Sequence, residues 1–240
     1  MKGNEIKAFH MFPVDSLDPQ LLNYKKTKVV HFLRHAEGTH NVNKAYSNPI
    51  NFDARLTAKG QIQCQQLSAS IKDSFPALME SELIVTSPLT RCVQTALLSL
   101  EPIFKYQPTV PFVAHESLRE TVNYCCDKRR TISEISGDFP TVDFSHIKHD
   151  HDETWDTYES RLGCHETYKV HRESAELYKV AERGREFFQW LSERPEKKII
   201  VCSHSAFFRC VWNWGLDKEV PYQPKQSLDD RDIGTKTFLL

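Results

Sequence analysis

Arginine and histidine side chains follow apolar runs at several places in this chain, and together they could carry out phosphoryl chemistry. Arg34 and His35 directly follow one such run, Arg91 follows a second, and His204 follows a third. Two arginines can hold a phosphate through their planar donor forks, and a histidine can attack phosphorus or neutralise charge. Glu120, beyond a fourth run, could supply the proton that a leaving alkoxide requires. These residue types suffice for phosphoryl transfer through a histidine intermediate.

Each residue type has a simpler interpretation when it is taken alone. An isolated His35 or His204 is more often a hydrogen-bonded histidine near the core, and an isolated Arg34 or Arg91 more often pairs with a surface acid. The enzyme interpretation therefore depends on whether the fold brings these residues to one place.

The elements that must bring them together are apolar runs typical of buried strands. Helical patterns separate the runs, so we expect an α/β fold with a mainly parallel sheet and helices on both faces. In such sheets, ligands bind at the carboxyl ends of the strands. The predicted strands are 29–33, 83–86, 110–114, 199–202 and 236–240.

Capping residues and apolar periodicity predict the helices. Thr57 is the expected N-cap of one helix, and Ser87 with Pro88 is expected to begin the helix that carries Arg91. A stripe of apolar residues predicts a long helix over 173–194, and a short apolar helix is expected over 206–214.

Length and composition are those of a globular protein with one domain over 1–240. We expect 1–26 to form an N-terminal arm and 116–171 to form an insertion over the active site. A net charge of −1 gives no general attraction to nucleic acid or to an anionic membrane, so a positive site must be local. The phosphoryl chemistry of the candidate residues makes a small phosphorylated substrate the expected partner. The sequence leaves the oligomeric state open.

The cysteines favour a cytoplasmic protein without disulfides. Seven is an odd number, none of them forms a C-x-x-C pair, and no signal peptide or membrane span is recognisable. The polar stretch 146–153 contains three histidines, yet nothing fixes a ligand geometry there, so we expect neither a metal nor a cofactor. The glycine-rich signatures of nucleotide-driven transfer and of dinucleotide redox chemistry are absent as well.

Five segments, in the expected order, resemble the motifs of the histidine phosphatase superfamily, the phosphoglycerate mutase-like proteins. A further segment, 126–130, resembles plant members of that family. The five segments are Leu33-Arg34-His35-Ala36-Glu37 followed by Asn41, Leu56-Thr57 with Gly60 and Gln63, Ser87-Pro88-Leu89-Thr90-Arg91-Cys92-Val93-Gln94-Thr95-Ala96, Leu118-Arg119-Glu120, and Val201-Cys202-Ser203-His204-Ser205.

The resemblance implies a three-layer α/β/α sandwich and a two-step mechanism that needs no metal. His35 would attack phosphorus, and Glu120 would protonate the leaving oxygen and later activate water. His204 would assist catalysis beside the phosphoryl group. The residues implied to bind the phosphate oxygens are Arg34, Asn41, Arg91, His204 and Ser205.

Three functions follow from the resemblance. A phosphomonoesterase comes first, a mutase that returns the phosphoryl group to a sugar acid second, and a non-catalytic protein that binds a phosphorylated ligand third. Long basic motifs associated with true mutases are absent after Glu120, which favours hydrolysis. Ala36 and Ser205 replace glycines that are common in the family, and neither change removes a catalytic group.

The cations Lys128, Arg129 and Arg130 offer a hypothesis about selectivity. They follow Glu120 closely, so the insertion could bring one of them to a second anionic group of the substrate. The alternative is a solvated basic turn.

Overall fold

The computed structural model describes residues 12–13, 27–163, 172–215 and 235–239, and for 12–13, 214–215 and 235–239 only the backbone. Most of the predicted arm and the end of the predicted insertion lie outside these residues. The strands of the described part are β1 (Phe12–Pro13), β2 (Val29–Arg34), β3 (Leu83–Thr86), β4 (Phe112–Ala114), β5 (Lys198–Ser203) and β6 (Thr235–Leu239).

The strands form one sheet in the order β1-β6-β2-β5-β3-β4. β2, β5, β3 and β4 run parallel, whereas β6 pairs antiparallel with β2 and β1 pairs antiparallel with β6. The mainly parallel sheet expected from the sequence is therefore confirmed, with an antiparallel extension along one edge.

Helices cover both faces of this sheet, which confirms the three-layer arrangement. Along β5, Ile199 and Val201 pack in one apolar cluster with Phe187 and Phe208, whereas Ile200 packs in a second cluster that includes helix residues from 67 to 103. This alternation is the two-residue period of a strand buried on both faces. The α-helices of the described part are α1 (Ala58–Ser74), α2 (Thr90–Ser99), α3 (Glu101–Tyr106), α4 (Ile132–Asp138), α5 (Glu153–Leu162), α6 (Leu177–Glu193) and α7 (Ser205–Cys210).

The start of α1 agrees with the sequence, but the start of α2 does not. Thr57 caps α1 by accepting a hydrogen bond from the Gly60 amide at 2.9 Å. α2 begins at Thr90, so the prediction that Ser87 caps it was wrong. The Asp53 carboxylate performs this task from a distant segment, because it accepts from the Thr90 amide at 2.9 Å.

Two other predicted helices are divided. A 3-10 turn over Glu173–Glu176 precedes α6, and the predicted helix over 206–214 consists of α7 followed by a π-helical turn over Val211–Gly215. In the described part of the chain, no helix is long and apolar enough to cross a membrane.

Buried ion pairs hold the described part of the segment 116–171. Arg119 pairs with Asp152 and donates to the Asp127 carbonyl at 2.6 Å. Arg129 contacts the Glu116 carboxylate at 3.0 Å and donates through its amide to Asp152 at 2.9 Å. These contacts fix the loops that follow β4.

Candidate active site

The candidate site lies where the parallel strands end. The β2–β5 register places Arg34 opposite Ser203, and the His35 amide extends the ladder by donating to the Ser203 carbonyl at 3.0 Å. His35 and His204 therefore leave adjacent strands side by side, with ring centroids 5.0 Å apart. The sequence predicted this edge as the ligand site.

A pocket of about 200 Å³ opens at this edge. It brings together six of the residues predicted for the site: Arg34, His35, Asn41, Arg91, Glu120 and Ser205. The other residues around it are His40, Tyr46, Thr121, Asn123, Tyr124, Cys126, Asp127 and Ala206.

His35 is held in the form that a nucleophile requires. Its Nδ1 lies 2.7 Å from the Ala36 carbonyl oxygen, and a carbonyl can only accept, so Nδ1 carries the proton. The Nε2 lone pair is left for reaction. Burial, followed by the nearby charge of Arg91, lowers the pKa of His35 well below its usual value, so the ring stays neutral.

The loop after β2 is fastened by side chains from two helices. The Ala36 amide donates to Thr95 Oγ1 at 3.0 Å, and the Glu37 amide donates to Gln63 Oε1 at 2.9 Å. Gly60 permits this contact, because a Cβ there would lie 2.2 Å from the Glu37 carbonyl oxygen. α1 and α2 thus position the nucleophile.

Arg91 is fully buried on the first turn of α2 and is oriented by the loop after β4. It donates to the Cys126 carbonyl at 2.7 Å and to the Asp127 carboxylate at 3.1 Å. Its Nε atom is buried and has no hydrogen-bond partner in the described structure. Arg34 faces the same pocket from the end of β2. The two guanidinium groups make this edge suitable for an anion.

Asn41 adds neutral donors to the pocket. Its side-chain oxygen accepts from the Gly38 amide at 2.9 Å, which leaves the side-chain N–H groups for a phosphate oxygen. Ser205, the first residue of α7, is also at the pocket surface.

The Glu120 carboxyl is placed at the start of α7. It accepts hydrogen bonds from the Phe207 amide at 2.9 Å and from the Ala206 amide at 3.3 Å. Burial, followed by the negative charge of Asp127, raises the pKa of Glu120 above its usual value. A carboxyl group with a raised pKa retains a proton to higher pH, as a general acid requires.

Arg183 holds the backbone beside Glu120. From α6, its guanidinium donates to the carbonyls of Ser117 at 3.0 Å, Arg119 at 3.2 Å and Glu120 at 3.4 Å. Sequence reasoning missed this residue, since a charged position on an amphipathic helix has no local signal for such a role.

His204 lies beside His35 but does not line the pocket. It is fully buried, and its Nε2 is 2.9 Å from Ser87 Oγ and 3.3 Å from Cys92 Sγ. Burial, followed by the charge of Arg91, lowers its pKa well below the usual value. The structure therefore does not place His204 among the pocket residues, where it was expected to bind phosphate oxygens and assist catalysis.

The cations Lys128, Arg129 and Arg130 are not brought to the pocket. Lys128 lies over Trp155, 5.5 Å from the ring centroid. Arg129 is buried and, besides Glu116, donates to the carbonyls of residues 130 and 149–151. Arg130 pairs with Asp53 and with Asp138, both at 2.9 Å. Structural acceptors occupy these side chains, so the structure gives no support to the expectation that they select the substrate.

His40 and Asp127 line the pocket although the sequence analysis gave neither a role in the site. His40 is buried, with its ring centroid 5.6 Å from that of His35, and its Nδ1 has no hydrogen-bond partner in the described structure. Asp127, which orients Arg91, lies within the segment that resembles plant members of the family. The sequence did contain a signal for His40, because this residue directly precedes Asn41, which was predicted for the site.

The described cysteines and histidines form no further site. Cys64, Cys92, Cys125, Cys126, Cys202 and Cys210 are all buried free thiols. Across the residues that the structure describes, no group of three or more His, Cys, Asp or Glu side chains could hold a metal ion, and this includes the stretch 146–153.

The known proteins that resemble this chain in sequence indicate one protein family. The chain is 34% identical over 211 residues to the "Phosphoglycerate mutase-like protein" of Arabidopsis thaliana, which covers 76% of this chain and 72% of that protein. "Phosphoglycerate mutase-like protein 1" from the same plant is 31% identical, over 76% of this chain and 70% of its own. Among solved structures, the ecdysone phosphate phosphatase of Bombix mori in complex with tungstate is similar, with a TM-score of 0.49 and 15% identity over 82% of each chain. The model of the histidine phosphatase superfamily (branch 1) matches residues 30–230, and the chain belongs to that superfamily.

Proposed function

We propose that this protein is a phosphatase that hydrolyses a small phosphate monoester through a phosphohistidine on His35. The observation that carries the proposal is the 2.7 Å distance between His35 Nδ1 and the Ala36 carbonyl oxygen, which assigns the tautomer of His35. Its proton is held on Nδ1 by the Ala36 carbonyl, and Nε2 is the nitrogen left to attack a substrate in a pocket that also contains Glu120.

In the first step, His35 Nε2 attacks phosphorus in line with the ester oxygen. The N–P bond forms as the P–O bond to the leaving group breaks, and Glu120 gives its proton to the departing oxygen. Arg34, Arg91 and Asn41 line the pocket and would hold the nonbridging oxygens, where negative charge is concentrated.

In the second step, water attacks the phosphohistidine on the side that the alcohol has left. Glu120, now ionised, takes a proton from the water as the P–N bond breaks, which yields inorganic phosphate and neutral His35. The positive charge comes from Arg34 and Arg91, both at the pocket, so the proposed mechanism uses no metal ion.

The pocket charges favour hydrolysis over the mutase reaction. A phosphoglycerate carries a carboxylate besides its phosphate, and that carboxylate would need a cation of its own. Among the described residues that line the pocket, the lysine and arginine side chains are Arg34 and Arg91, and Arg91 is already paired with Asp127. The Asp127 carboxylate lies at the same pocket and offsets part of the Arg91 charge, which disfavours a second anion. A mutase remains the second candidate.

A substrate panel separates the two reactions. Purified protein is incubated with phosphorylated sugars, sugar acids and nucleotides, and both free phosphate and isomerised sugar acid are followed, with His35→Ala as the control. We expect free phosphate to be released and no isomer to accumulate. Isomerisation of a phosphoglycerate faster than its hydrolysis would overturn the phosphatase assignment in favour of the mutase.

A further inference from the structure

We infer that the pocket selects phosphate monoesters whose alcohol carries an uncharged aromatic ring, and that Tyr46 and Tyr124 bind this ring. The inference rests on the proposed function for the position of the phosphoryl group at His35. It adds a substrate class, which neither the catalytic residues nor the family specifies.

A row of rings leads from the nucleophile along the pocket. The ring centroid of His40 is 5.6 Å from that of His35, Tyr46 is 5.9 Å from His40, and Tyr124 is 5.5 Å from Tyr46. All four side chains line the pocket. The two tyrosine rings are stacked at an interplanar angle of 29°, so each covers one face of the other and has its outer face turned away; we call this pair the tyrosine wall.

The backbone holds this tyrosine wall in place. The Tyr46 carbonyl accepts from the Cys126 amide at 3.4 Å and from Cys125 Sγ at 3.2 Å, while the Tyr124 amide donates to Asp127 at 3.0 Å. Cys125 Sγ also reaches the Asn48 carbonyl at 3.0 Å. These bonds join the segments that carry the two tyrosines, so the wall exists before a ligand arrives.

The tyrosine wall is partly accessible to solvent. Tyr124 is 38% exposed although it is a large aromatic side chain, and Tyr46 is partly buried. Solvent-exposed aromatic faces that line a pocket are suited to stack on a ring of the ligand.

The charges around the tyrosine wall disfavour an anionic alcohol. Asp127 lies next to Arg91 and neutralises part of its charge, and the neighbouring pocket residues Thr121 and Asn123 are neutral. Lys128, Arg129 and Arg130, which could have received a second anion, have protein partners instead. An uncharged ring can stack on a tyrosine face, whereas the carboxylate of an anionic alcohol would lie at a pocket that already holds the Asp127 carboxylate.

Binding of phosphonates tests the inference independently of turnover. The probes are 2-phenylethylphosphonate, 2-cyclohexylethylphosphonate and 2-carboxyethylphosphonate, which share the anionic group and the linker, and their dissociation constants are measured by calorimetry. We expect the phenyl compound to bind up to about tenfold more tightly than the cyclohexyl compound, the scale of one aromatic stacking contact. The carboxylate compound should bind most weakly, because a carboxylate cannot stack on a tyrosine ring and adds a second negative charge.

Variants of the tyrosine wall identify its contribution. Tyr124→Ala and Tyr46→Ala should each reduce the preference for phenyl over cyclohexyl toward unity, whereas Tyr124→Phe should retain it. Tyr106→Ala is the matched control, because this residue is a 73% exposed tyrosine at the end of α3, outside the pocket lining. Circular dichroism confirms that each variant is folded.

Three results would overturn the inference: equal or tighter binding of the carboxylate compound, equal binding of the phenyl and cyclohexyl compounds, or a preference unchanged by both alanine variants. Hydrolysis of ethyl phosphate, which has neither ring nor carboxylate, is measured separately. Failure of that reaction with intact phosphonate selectivity would count against the proposed function and leave the ring selectivity standing.

Discussion

At the scale of single residues, the pocket shifts two pKa values in opposite directions. Burial and nearby arginines lower the pKa of His35, whereas burial and Asp127 raise the pKa of Glu120. A neutral imidazole and a protonated carboxyl group can therefore coexist over a common pH range. This is the pairing that attack by nitrogen with protonation of a leaving oxygen requires.

Replacing the acid should affect poor leaving groups most. Glu120→Gln cannot give a proton to the departing oxygen, so turnover of an alkyl phosphate should fall by about two to four orders of magnitude. The loss should be much smaller for p-nitrophenyl phosphate, because its phenolate leaves without help. Steady-state kinetics on both substrates checks this, and equal losses would exclude Glu120 as the acid.

The same carboxyl group should control the alkaline side of the pH profile. Because its pKa is raised, Glu120 keeps its proton above the usual range of a glutamate, and kcat for an alkyl phosphate should fall only as pH rises through that raised pKa. Glu120→Gln should abolish this alkaline fall. On the acid side, kcat should persist below pH 6.5, because the pKa of His35 is lowered. An alkaline fall that survives in the variant would assign it to another group.

The strand pattern predicted Arg34, His35, Arg91 and Glu120 and the family resemblance added Asn41 and Ser205, but neither assigned a site role to Asp127 or Tyr124. Arg34, His35 and Arg91 were found because each follows a recognisable apolar run. Asp127 and Tyr124 belong to a loop whose path is fixed by the buried pairs of Arg119 and Arg129, and no local pattern encodes those contacts. For the same reason, the sequence did not show that the cations 128–130 have protein partners, among them Glu159, Glu116 and Asp53.

At the scale of elements, the start of α2 shows how distant contacts can override a local motif. Ser87 and Pro88 have the composition of a helix start, yet Asp53 satisfies the Thr90 amide and hydroxyl and pairs with Arg130. Asp53 has a positive φ of 45°, so it is held in a backbone conformation that favours glycine. α1 was predictable because Thr57, its cap, lies in the same segment.

The contact between α1 and the nucleophile loop yields a stability prediction. In Gly60→Ala, the new Cβ would approach the Glu37 carbonyl oxygen, which belongs to the backbone and cannot rotate away. We expect the free energy of unfolding to fall by about 1–3 kcal/mol. Urea denaturation measures it.

Gly137→Ala is the matched control, because nothing lies within 4 Å of a Cβ built there and the residue is exposed in α4. That change should raise the free energy of unfolding by about 0.5–1 kcal/mol, since alanine loses less backbone entropy in a helix. Equal effects of the two substitutions would show that the Gly60 contact does not constrain the loop.

At the scale of the whole molecule, the sheet topology accounts for the convergence of the site. Parallel pairing aligns the ends of β2, β5 and β3, so residues separated by more than a hundred positions meet at one edge. Alternating strands and helices made this arrangement predictable. The sequence predicted a strand over 236–240, but no local pattern indicated that β6 would pair antiparallel with β2.

The charge balance of the molecule predicts activity without a metal ion. Arg34 and Arg91 supply positive charge at the pocket, and the Asp127 carboxylate is already engaged by Arg91 and by backbone amides. Turnover should stay within about twofold of its original value after dialysis against a chelator, because arginine side chains supply the positive charge that holds the phosphate. Loss of activity that a divalent cation restores would contradict this account of the site.

Direct detection of phosphohistidine tests the central claim. Labelled substrate is mixed with enzyme, quenched in alkali and digested, and the phosphorylated peptide is identified by mass spectrometry, with His35→Ala in parallel. We predict an acid-labile adduct on His35 that forms and decays at rates consistent with turnover, and no adduct in the variant. Phosphate release without an adduct on His35, or full activity of His35→Ala, would contradict the mechanism.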